Sequence, residues 1–74
     1  MVDQSEELYI CQLYMHGVWR YLSTPRGNVA RSYRKRKNAY EGSIKDLTNM
    51  KESYMRIWGY RPHRYKRVII LAPL

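Results

Sequence analysis

Nine of the chain's 14 lysines and arginines fall in two short runs, and these are the residues best suited to chemistry. The first run sets Arg34, Lys35, Arg36 and Lys37 in unbroken succession, with Arg31 just before them. The second, RPHRYKR at residues 61–67, mixes Arg61, Arg64, Lys66 and Arg67 with His63 and Tyr65. Cations hold phosphate oxygens, and aromatic rings among them offer a surface for bases, so this composition points to a polyanion such as the backbone of DNA or RNA. Two solvated loops would carry the same residues, and adjacency in sequence does not separate the two possibilities.

Other chemistries lack their residues. His16, His63 and Cys11 stand at no metal-ligand spacing, and neither a CxxC pair nor an HExxH pattern occurs. Past residue 7 the only carboxylates are Glu41, Asp46 and Glu52, which form no evident acid–base pair and read as local salt-bridge partners. GNVARSYRKRKN has neither the multiple glycines nor the Lys-Ser/Thr ending of a phosphate-cradling loop. A helix-turn-helix would place its second helix over residues 50–58, where Lys51 and Arg56 offer little for reading bases. No enzyme, metal or cofactor is expected.

The totals agree with a binding role. Seventy-four residues make one small domain with a modest core, for which a binding surface is easier to build than a buried cleft. The net charge is +8, and three of the six acids are spent by residue 7, so residues 8–74 carry 14 bases against three acids. Self-repulsion on that scale opposes compaction unless a partner uses the charge. A single cysteine forms no internal disulfide, which suits a reducing compartment and makes the cytoplasm the expected location. The longest apolar run, VIILAPL, is far too short to span a membrane, and no membrane partner is expected. With no disulfide to brace so small a body, a second copy of the chain is a further partner to consider.

These residues need elements to position them. Residues 1–7 read as a flexible acidic N-terminus and residues 8–74 as one basic domain. LYICQLYM and VWRYLST read as strands joined across His16-Gly17, and PRGN at residues 25–28 turns the chain into a third strand, VARSY. Tyr33, Tyr40, Ile44, Leu47, Tyr54 and Trp58 then fall on one helical stripe. That stripe predicts one bent helix over about residues 33–58 with Ser32 as its N-cap, or two helices broken near residue 48, stopped by Gly59. YKRVIIL closes the fold as a returning strand. The class is α+β: an antiparallel or mixed sheet of three to four strands under helix, with a core drawn from Leu8, Ile10, Leu13, Trp19, Leu22, Ile44, Leu47, Ile69 and Leu71. A mostly helical chain is the rival, since residues 8–22 are short of β-branched side chains.

On that layout the run 34–37 would fill the first turn of a helix, where cations oppose the dipole and the free N–H groups attract phosphate. Eight tyrosines and no phenylalanine add to the picture, because a hydroxyl is a burden in a dry core but an asset at its border. The expected function is that of a small nucleic-acid-binding accessory or regulatory protein. The alternative is a protein-binding inhibitor or adaptor that docks on an acidic surface of a larger partner, for which Tyr, Trp, Met and Arg are equally apt.

Overall fold

In the computed structural model, residues 7–68 form a four-stranded antiparallel sheet crossed on one face by a single helix. β1 (Tyr9–Met15), β2 (Val18–Arg26) and β3 (Val29–Tyr33) make a meander, α1 (Ile44–Trp58) follows, and β4 (His63–Arg67) returns beside β1. The sheet order is β3-β2-β1-β4, so the two basic runs adjoin opposite edge strands. Turn chemistry accounts for the meander. His16 and Gly17 both take positive φ, at 54° and 84°, the pairing a tight hairpin turn demands. The second reversal uses Gly27-Asn28 rather than all of PRGN: Pro25 and Arg26 still belong to β2, at a bulge between Ser23 and Arg26 where a missing N–H is tolerated.

The core lies between helix and sheet. Cys11, Leu13 and Met15 alternate along β1 toward the helix, joined by Leu22 of β2 and by Leu47 and Tyr54 of α1. Leu47, Tyr54 and Trp58 occupy one side of α1, with Met50 and Met55 filling its flanks against the sheet. Of the expected core, Leu13, Leu22 and Leu47 are buried there. Ile44 is exposed, while Trp19 and Ile10 project from the other face of the sheet. Ile69 and Leu71 lie outside the described residues, as do residues 1–6 and the end of the expected last strand.

The helix is shorter than its stripe. Ser43, not Ser32, is the N-cap: its hydroxyl accepts from the Asp46 N–H at 3.1 Å, and Asp46 suits the positive end of the helix dipole. Ser32 lies in β3 and accepts instead from Arg20 Nε at 2.7 Å. Tyr33 ends that strand, and residues 34–43 form a bend, one 3-10 turn at Arg36–Asn38 and an isolated bridge at Gly42. This connection does structural work. Beyond the Gln12–Tyr21 pair β2 parts from β1, and residues 40–42 take the vacated edge. The Tyr40 N–H donates to Leu22 O at 3.0 Å, while Gly42 and Tyr9 exchange bonds of 3.0 and 2.8 Å. A helix started at residue 33 would forfeit those pairings. No break occurs near residue 48. Thr48 stays helical and bonds the Tyr65 hydroxyl at 2.8 Å, and Gly59 closes the helix at φ 86°.

Candidate nucleic-acid interface

The four basic residues 34–37 do not sit on a helix N-terminus, so neither the dipole penalty nor the phosphate-attracting N–H groups apply to them. All four are exposed. Arg36 is held by Glu41 at 3.1 Å, whereas Arg34, Lys35 and Lys37 have no salt-bridge partner among the described residues.

Strand alternation divides the second run. Arg64 and Lys66 pair with Gln12 and Ile10 of β1 and so point away from the helix. Tyr65 and Arg67 pair with Cys11 and Tyr9 and point toward it. The Tyr65 hydroxyl is engaged by Thr48, and Arg67 reaches Glu7 at 3.0 Å. Arg61, before the strand, is half-buried and donates to Trp58 O at 3.2 Å. Arg31 pairs with Ser23 on the face opposite the helix, its Nε on Thr24 O and its Nη1 on the Tyr33 hydroxyl.

Alternation also assembles a surface that adjacency in sequence conceals. The registers Tyr14–Trp19, Gln12–Tyr21 and Tyr21–Tyr33 place four aromatic residues on the face away from α1. Tyr14 and Trp19 meet edge to face, with ring centroids 5.3 Å apart. From β4, Arg64 arches across β1 and sets its guanidinium carbon 4.0 Å from the centre of the Trp19 ring. Its Nε donates to Gln12 Oε1 at 2.7 Å, which explains how Gln12 can be only 3% exposed on a face without a covering element. Ile10, equally buried, floors a recess of about 260 Å³ with Tyr21, Arg36, Lys66 and Arg67 on its walls. Arg36 and Lys66, one from each basic run, thus line the same recess at the end of β4.

This face has no acidic residue at any of its strand positions, and no element of the described chain covers it. Among the described residues the carboxylates lie elsewhere: Glu7 and Glu41 in ion pairs, Asp46 and Glu52 on the exposed side of α1. On the helix side, Cys11 is fully buried and burial pushes its thiol up to about 11, leaving it protonated and inert at neutral pH. Among the described residues there is no cluster of His, Cys, Asp and Glu that could hold a metal ion, and no helix is long and apolar enough to cross a membrane. Compared with known proteins, the chain matches no family model, no curated sequence and no solved structure.

Proposed function

We propose that this protein binds nucleic acid through the phosphate backbone, as a small accessory or regulatory factor. The observation that carries the proposal is the contrast between the two sides of the sheet. Among the described residues acids are paired or placed on the helix, while the uncovered face and the 34–37 connection beside it present cations to solvent without a neighbouring carboxylate, apart from the Arg36–Glu41 pair. Such an arrangement concentrates positive potential on one surface, where a polyanion gains most by releasing its counterions. The recess lined by Arg36 and Lys66 is one place where a phosphate would meet side chains from both runs.

The test replaces Arg34, Lys35 and Lys37 together by Ala and leaves the Arg36–Glu41 pair in place. Each lost phosphate contact should flatten the slope of log affinity against log salt by about 0.7–0.9, so three contacts predict a change of about two to three units. Fluorescence anisotropy on labelled DNA and RNA across a salt series reads both affinity and slope. An unchanged slope for the triple variant, or no binding by the parent at low salt, overturns the proposal. Retained binding to an acidic protein would then favour the docking alternative.

A further inference from the structure

We infer that the open sheet face takes single-stranded nucleic acid, with unpaired bases stacked on its aromatic side chains. This rests on the nucleic-acid function proposed above and specifies its ligand. The mixture of rings and cations on one face carries the inference. β1 and β2 contribute Tyr14, Trp19 and Tyr21, β3 adds Tyr33 and Arg31, and β4 adds Lys66 and Arg64, whose guanidinium lies over Trp19. A strand laid on this face would meet rings and cations side by side.

A duplex gains little from that layout. Its bases are already stacked on one another, so it offers a flat surface only phosphates and sugars, and the rings would contribute almost nothing. The major groove admits a helix or a two-stranded ribbon, whereas this face spans four strands. An exposed base, by contrast, has a π-face that any ring or guanidinium plane can receive. Trp19 and Arg64 already form such a stack, and the Gln12 bond holds the guanidinium in place before any ligand arrives. Tyr21 and Tyr33 are register partners on neighbouring strands, roughly 5 Å apart at the backbone, and the Arg31 guanidinium carbon lies 5.9 Å from the centre of the Tyr33 ring. Among the described residues, no strand position on this face carries a carboxylate to repel the incoming backbone.

The experiment compares a labelled oligonucleotide of about a dozen residues, its duplex and a heparin fragment of similar charge, with the parent and with Tyr21→Leu, Tyr21→Phe, Tyr33→Leu and Tyr33→Phe. Stacking of one base predicts a loss of about tenfold for each Leu variant on the single strand, near-parental binding for the Phe variants, and no change for duplex or heparin. The parent should bind the single strand about tenfold or more tightly than the duplex. Unfolding midpoints of the variants identify any loss that comes from misfolding, and the Phe variants preserve the ring where Leu does not. If single strand, duplex and heparin bind alike and the Leu variants match the parent, this inference fails while phosphate binding stands. If no oligonucleotide binds at low salt, both fall.

Discussion

Arg64 ties the open face together, and its removal should be felt in stability as well as in binding. Arg64→Met loses the Nε–H bond to Gln12 and the cation over Trp19 but keeps an apolar stem across β1. The hydrogen bond contributes about 1 kcal/mol, at the modest end because Arg64 is exposed and water can reach Gln12 Oε1 once the guanidinium is gone. The contact with the indole adds about 0.5–1 kcal/mol at an exposed site. Together they predict a loss of about 1–2 kcal/mol, slightly offset by removing one positive charge from a chain of net +8. In a domain this small each kcal/mol moves the unfolding midpoint by about 4–8 °C, so the variant should melt about 5–15 °C lower. Arg64→Lys keeps the charge yet lacks the planar fork, and most of the loss should persist. Urea and thermal unfolding followed by tryptophan fluorescence measure both variants. If each stays within about 0.3 kcal/mol of the parent, the stack is not held in solution and the preorganised face loses its anchor.

Tyr54→Phe removes the donor to Ser23 O, a bond of 2.5 Å at the β2 bulge, and should lower stability by about 1–2 kcal/mol in the same urea assay. Gly42→Ala would bring a Cβ within 2.6 Å of the Tyr40 ring while both residues hold the sheet edge, and should cost about 1–3 kcal/mol by the same measurement. Alkaline pH should destabilise the fold. Burial raises the Cys11 thiol from 9.0 to about 11, and burial likewise raises Tyr54. The folded state therefore keeps protons that the unfolded chain releases, so stability is intact below pH 9 and declines from about 9 to 11. Cys11→Ser should remove the first part of that decline in chemical unfolding measured across pH 8 to 11.

The meander was legible because its signals are local. His16-Gly17 and the glycine of PRGN mark reversals, and the runs between them have strand lengths. The helix start was misplaced because Tyr33 and Tyr40 continue the apolar stripe N-terminally, although their burial comes from strand and loop packing. The signal that resolves it, Ser43 three residues before Asp46, was present in the sequence and is a local cap. The face was less accessible. Arg64, Tyr65, Lys66 and Arg67 look like one cluster in sequence, yet a strand sends alternate members to opposite sides. Trp19 is among the residues expected in the core, yet it projects from the open face. Which of the two alternating sets of β1 and β2 meets the helix depends on where α1 packs, and no short stretch of sequence contains that information.

The tyrosine excess now has two physical explanations, one for each side of the sheet. On the helix side, hydroxyls of Tyr9, Tyr54 and Tyr65 bond Glu7, Ser23 and Thr48, so phenylalanine there would leave polar partners unmet. On the open side, Tyr14 and Tyr21 stand at a water boundary where a bare phenyl ring would expose more apolar surface. The same separation governs charge. Cations that stabilise the fold are tied to specific partners, as Arg20 is to Ser32 and Arg36 to Glu41, whereas Arg34, Lys35 and Lys37 only add to self-repulsion. Substitutions at those three positions should therefore leave stability unchanged or slightly higher while binding falls, and substitutions at Arg64 should lower both. A ligand that neutralises the loop relieves repulsion and raises the melting temperature of the parent more than that of the triple variant. Such a difference would tie the cations of residues 34–37 that lack a salt-bridge partner among the described residues to ligand binding.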